Sequence, residues 1–196
     1  KPPVKPVINP KQDRIKLPRE SNSALNAFYG TANKGGSQMD WFSFPTDDIR
    51  LYNRSGTALK DRDGDGRDEH RCHRQIVDQL EAALQELFHT LGKNEFEKQG
   101  WHIYGGCFNY RRKTSGGSLS THSWGIAIDI NPNENGWKQY STSFSDVAFN
   151  IMEKHGFLSA YRAWGHDAMH FQQCIPHISK GSHYDRHGLP SHIRTA

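Results

Sequence analysis

Apolar residues at Ile76, Leu80, Ala83, Leu84, Leu87 and Leu91 recur at spacings of three and four, and this single stripe predicts an amphipathic helix. Gly92 lies just past the stripe, where the helix is expected to stop. Further on, Trp101-His102-Ile103-Tyr104 reads as a short strand closed by Gly105-Gly106. The pattern then changes to strict alternation. Ile126, Ile128 and Ile130 point one way, and Ala127, Asp129 and Asn131 the other. The Asp129 carboxylate is therefore directed away from the core that the isoleucines enter. A second helix fits 145–155, with Ser145 as its cap, Val147, Ile151 and Met152 as its apolar side and Gly156 at its end. A last strand is expected at Ala168–Phe171. The order helix, strand, strand, helix, strand predicts an α+β fold, a small and largely antiparallel sheet flanked by helices.

The flanks differ from this middle. Five of the nine prolines lie within the first 18 residues, so residues 1–20 read as an extended arm rather than a helix or central strand. Residues 21–70 are rich in Gly, Asn, Ser and Asp and predict turns and short strands. The tail, 175–196, is polar and rich in His. The expected organisation is an arm at 1–20, a domain at 21–174 and a tail at 175–196. The net charge is +4, and residues 1–20 alone carry six basic and two acidic side chains, so the rest is neutral. The basic character belongs to the arm, which argues against a basic nucleic-acid surface while leaving the arm able to touch an anionic polymer. No apolar run reaches the ~18 residues of a membrane span. No leader pattern opens the chain, and its first residue is Lys1 rather than Met, so removal of a preceding segment is expected. Cys72, Cys107 and Cys174 form no C-x-x-C pair. Cys72 precedes the main helix and Cys107 follows the next strand; these two are expected to pair, with Cys174 free.

The chemistry concentrates in two stretches, Ser-Thr-His-Ser-Trp-Gly-Ile-Ala-Ile-Asp at 120–129 and Asp-Ala-Met-His-Phe at 167–171. They offer His122, Asp129 and His170 as metal ligands and Asp167 as a neighbouring carboxylate. Two imidazoles and a carboxylate suit catalytic zinc, which commonly has three protein ligands. Residues three apart on a straight strand face opposite sides, so Asp167 must sit in a turn before the strand that carries His170. Gly165 allows one.

These stretches resemble the LAS-type metallopeptidases, which include D-alanyl-D-alanine carboxypeptidases and L-alanyl-D-glutamate endopeptidases and share a fold with the hedgehog signalling domain. Ser120, His122, Gly125, Ala127 and Asp129 match the S-x-H-x-x-G-x-A-x-D motif. Asp167 and His170 match an acid placed three residues before a His. Arg111 follows Gly105-Gly106-Cys107-Phe108-Asn109 as the family's upstream Arg does. The likeness covers 105–171, with a weaker trace from Phe44-Pro45 to about His73. It implies a hedgehog/DD-peptidase-like fold and one zinc per chain on His122, Asp129 and His170. It also implies Asp167 as the base that takes a water proton and returns it to the leaving amine, and Arg111 as the oxyanion partner, with Arg112 in that role if the loop register differs. The implied substrate is a peptidoglycan stem peptide, cut at D-Ala-D-Ala or L-Ala-D-Glu. The implied location is extracytoplasmic, periplasmic or secreted, or delivered by a phage. Ser120, Trp124 and Trp164 are supporting candidates. Ser120 would orient a ligand or simply shape a turn, and Trp124, Tyr161 and Trp164 would line a cleft or pack.

Other readings compete. Cys107 with His122, oriented by Asp129, would make a cysteine peptidase, which explains neither Asp167 nor His170. A zinc-stabilised binding module without catalysis explains the ligands but not Asp167 and Arg111. Asp61, Asp63 and Asp65 resemble the start of a calcium loop, yet position twelve, where an EF-hand needs Glu, is Cys72. His183 and His187 are four apart, but Gly188 and Pro190 argue against a helical metal pair. His166, beside Asp167, is the main decoy ligand.

Overall fold

The structure, a computed structural model, describes residues 14–43, 49–60 and 69–196. The candidate calcium residues Asp61, Asp63 and Asp65, the Phe44-Pro45 trace and residues 1–13 of the arm lie outside the described residues.

The chain is mixed α+β. Its elements run β1 (Ile15–Leu17), α1 (Asn22–Tyr29), β2 (Met39–Ser43), β3 (Tyr52–Asn53), β4 (Glu69–His73) and α2 (Val77–Lys98). They continue through β5 (Ile103–Gly106), a 3-10 turn (Thr121–Trp124), β6 (Ala127–Ile130), α3 (Pro132–Asn135) and α4 (Asp146–Lys154). The last are β7 (Leu158–Ser159), α5 (Ala160–Trp164), β8 (His170–Gln172), α6 (His183–His187) and β9 (Ile193–Thr195). The central sheet has the order β3-β5-β6-β8-β7 and is antiparallel except where β3 meets β5.

Helix α2 forms for the reason its stripe gives, since Leu80, Ala83, Leu84 and Leu87 are fully buried. Gly92 breaks it without ending it. With φ 73 and ψ 160 it kinks the chain, and the helix resumes to Lys98. The strand expected at Trp101 begins at Ile103, because Trp101 is buried in the turn before it, its ring 4.3 Å from that of Phe144. Ser145 caps α4 by accepting from the Ala148 N–H. Val147, expected on the apolar side, is 49% exposed, and Phe149 packs inward instead. The last strand starts two residues later and ends one later than expected, with Ala168 buried in the turn before it. Helix α1 was not anticipated in 21–70. Ser21 caps it, and Leu25 and Tyr29 form its buried side.

The described end of the arm and the tail are paired with each other. β1 lies parallel to β9, and Leu17, Ile175, Tyr184 and Ile193 share a small core with Leu158 and Ala163. Pro18 O accepts from the Ile175 N–H and Ile175 O from the Glu20 N–H, which fixes Glu20 against the domain.

Candidate active site

The motif residues have structural reasons. Ser120 caps the 3-10 turn, its Oγ accepting from the His122 N–H at 3.4 Å. Gly125 closes the turn at φ 66, where a Cβ would lie 2.3 Å from Met39 Sδ. From there β6 keeps Ile126, Ile128 and Ile130 fully buried and turns Asp129 to the opposite face. Antiparallel pairing with β8 sets Asp129 directly opposite His170. Directly opposed residues on one face have neighbouring side chains. Gly105 across the ladder clears the space, since a Cβ there would lie 2.9 Å from Asp129 Cβ.

His122, Asp129 and His170 consequently meet, with one ligand atom from each within 4.8 Å of the others. Asp129 Oδ1 is 3.1 Å from His170 Nδ1 and 3.3 Å from His122 Nε2. His122 Nδ1 donates to the Cys107 carbonyl at 2.7 Å, which leaves the Nε2 lone pair aimed at the cluster. That Nε2 is buried and has no hydrogen-bond partner. Burial alone would raise the Asp129 carboxyl, but the two imidazoles hold it well below the usual carboxylate range. Burial would lower His170, yet Asp129 opposite lifts it to about 9. A carboxylate between two imidazoles, one with an unused buried lone pair, fits a divalent cation such as zinc.

Asp167 stands in the turn that strand geometry demands. Gly165 ends α5 in the left-handed conformation, and Asp167 itself has φ 63, which an L side chain adopts at a cost of about 1–2 kcal/mol. Its Oδ1 is buried without a partner. Burial raises its carboxyl, and the Asp129 charge adds to this against the opposing pull of His170.

All four residues line one cleft of about 380 Å³, with Arg111 and Ser120 also on its wall. Ser123 Oγ fixes the Arg111 backbone at both N–H and C=O. Arg112 does not line the cleft; its guanidinium donates to the Gly117 carbonyl. Among the described residues, eight buried side-chain N or O atoms lack a partner, and those of His122, His166 and Asp167 belong to this cleft.

Residues 113–173 match the family model described as D-alanyl-D-alanine carboxypeptidase. That is about a third of the chain. It holds His122, Asp129, Asp167 and His170, begins two residues after Arg111, and supports the resemblance to LAS-type zinc peptidases. No curated protein and no solved structure matches the chain.

Within this carboxypeptidase-like segment Trp164 lines the cleft, stacked on the His170 ring at 5.9 Å and donating to the His177 carbonyl at 2.7 Å. Trp124 does not line it. It is fully buried and donates to Asn26 and the Gly30 carbonyl, because the 3-10 turn points it back at α1. Tyr161 likewise packs, stacked on Phe149. His166 reaches the cleft wall against the ring of Trp137 at 4.9 Å but is not one of the clustered ligands.

All three cysteines are free and buried, so the expected Cys72–Cys107 bridge is not formed. The cysteine-peptidase arrangement is also absent. His122 meets the Cys107 carbonyl rather than its thiol, and burial pushes that thiol well up. His183 and His187 do share a helical turn, α6, with ring centroids 4.7 Å apart, but no third ligand joins them among the described residues.

The residues that hold His170, one of the three candidate ligands, were not anticipated from the sequence. Gln172 Oε1 lies 2.9 Å from His170 Nε2, and the Thr121 hydroxyl reaches both at 3.4 Å. Gln172 follows His170 by two on β8, so strand alternation alone places the two on one face.

Proposed function

We propose that the cleft is the active site of a zinc-dependent peptidase that hydrolyses peptidoglycan stem peptides at the D-Ala-D-Ala or the L-Ala-D-Glu bond. The observation that carries this is the company the cluster keeps. The unpartnered His122 Nε2 shares the cleft with an unpartnered carboxylate oxygen, on Asp167, and with a cation, Arg111. A scaffold-only metal site needs neither of these.

His122, Asp129 and His170 would hold the zinc. Bound there, zinc supplies Lewis-acid polarisation of the scissile carbonyl and acidifies water. Asp167 takes a proton from the attacking water. Its carboxyl, raised by burial, is a better acceptor of that proton than an ordinary aspartate, and once protonated it delivers the proton to the leaving amine. Arg111 sits on the wall of the same cleft and compensates the charge that develops on the carbonyl oxygen. Trp164 covers the face of His170 and keeps its ring in the plane that Asp129 requires. An extracytoplasmic or phage-delivered setting follows from the substrate.

The test is digestion of purified peptidoglycan by the zinc-loaded protein, with new termini identified by mass spectrometry. Free D-Ala identifies the carboxypeptidase, and a new N-terminal D-Glu the endopeptidase. Intact stem peptides contradict the proposal. Full biological activity in zinc-loaded Asp167→Ala would favour the non-catalytic module.

A further inference from the structure

We propose that Glu20, at the end of the N-terminal arm, is a positioning residue for the metal centre, acting on His170 through Gln172. This rests on the metal reading of the cluster. The arm is remote in sequence from every motif residue, yet Glu20 lies on the cleft wall with its side chain only 8% exposed. Its carboxylate has two partners. Lys113 Nζ donates to Oε1 at 2.5 Å, and Gln172 Nε2 donates to Oε2 at 3.2 Å. Gln172 is 1% exposed, and its other amide atom, Oε1, faces His170 Nε2 at 2.9 Å.

The chain of donors and acceptors has one consistent sense. A carboxylate only accepts, so Glu20 requires the NH2 side of Gln172. The Cys174 carbonyl and Sγ, at 3.4 and 3.1 Å from the same nitrogen, favour the same orientation, and Glu20 adds the charge. Oε1 must then face His170 and accept from Nε2–H. With the proton on Nε2, the Nδ1 lone pair is free for a cation beside Asp129. Glu20 is itself held on the far side. Its backbone N–H donates to Ile175 O, β1 pairs with β9, and Leu17 is buried in the small core. The arm is thus tied by charged and backbone hydrogen bonds to the orientation of one ligand.

Zinc affinity, measured by competition with a chromophoric chelator, tests this on the full chain. Partners that orient a ligand are typically worth about 10–100-fold in affinity. Gln172→Met should fall in that range and Glu20→Ala by about tenfold, toward its lower end. Glu20→Gln, whose carbonyl still accepts, should recover part of the loss. Because both residues act through one chain, the double variant should bind no more weakly than Gln172→Met alone. Melting of the metal-free proteins is followed alongside. An undiminished affinity in Glu20→Ala, with or without a lower melting temperature, overturns the proposal, as do losses that multiply in the double variant. A wild-type protein that takes up no zinc overturns the metal reading as well, and the same titration shows it.

Discussion

Glu153 and Arg162 are each 7% exposed and paired at 2.8 Å, and their remaining groups are occupied too. Tyr184 donates to the second Glu153 oxygen at 2.7 Å, Arg162 also donates to Asn150 and Asp146, and its guanidinium lies over the Phe149 ring. The cleft cluster buries charge to a similar depth, but His122 Nε2 and Asp167 Oδ1 are left without partners, and Asp167 holds a left-handed backbone. An unpartnered buried polar atom costs about 1–3 kcal/mol. The first cluster minimises that cost and ties α4, α5 and α6 together. The second bears it at atoms that face the open cleft. Burial of charge therefore does not mark the site; the gathering of unsatisfied ionisable groups, His122, His166 and Asp167, in one cleft does.

That contrast can be broken most forcefully at Asp167. Asp167→Asn keeps the shape and tolerates the left-handed turn, so the rate on a stem peptide should fall about 10²–10⁴-fold while zinc content and melting temperature hold. A fall in stability of similar size would make Asp167 architectural. The converse experiment is Arg162→Met, which strands Glu153 and should cost roughly 3–5 kcal/mol in urea denaturation with the rate per folded molecule unchanged. Arg111→Met separates the two effects at the cleft wall. Loss of an oxyanion partner should cost roughly 3 kcal/mol of barrier, about a hundredfold in kcat, while stability moves by less than about 0.5 kcal/mol.

The smallest effect concerns pH. Burial alone would raise Glu86, but Lys154 and His155, at 2.7 Å each, hold its carboxyl below the ordinary value of 4.5. Its stabilisation is therefore present above that value and is lost as pH falls through the lowered one. Glu86→Gln should flatten the acid limb of the melting profile and leave the rate at neutral pH alone.

Much of this contrast was legible from the chain alone. Alternation about Ile126–Ile130 turned Asp129 away from the core, and strand geometry forced Asp167 into a turn, where it stands. The S-x-H-x-x-G-x-A-x-D and D-x-x-H spacings pointed to His122, Asp129 and His170 through the resemblance they carry, and Ser120, Gly125 and Asp167 have local backbone reasons for their places. What depends on distant pairing was not legible. Helix α1 had its signals, Ser21, Leu25, Tyr29 and Gly30, but they sat in a stretch whose Gly, Asn and Ser content read as turns. Trp124 follows the motif His by two and could line a cleft or pack, and only the direction of the short 3-10 turn, back towards α1, settles that it packs. Glu20 left no trace, because its role exists only once β1 has paired with β9 at the other end of the chain.

The central claim is that His122, Asp129 and His170 hold one catalytic cation. Metal analysis of wild-type protein and Asp129→Ala after zinc loading and desalting tests it most directly. The account predicts one zinc per wild-type chain and almost none in the folded variant. Equal zinc in both, or none in either, would contradict it.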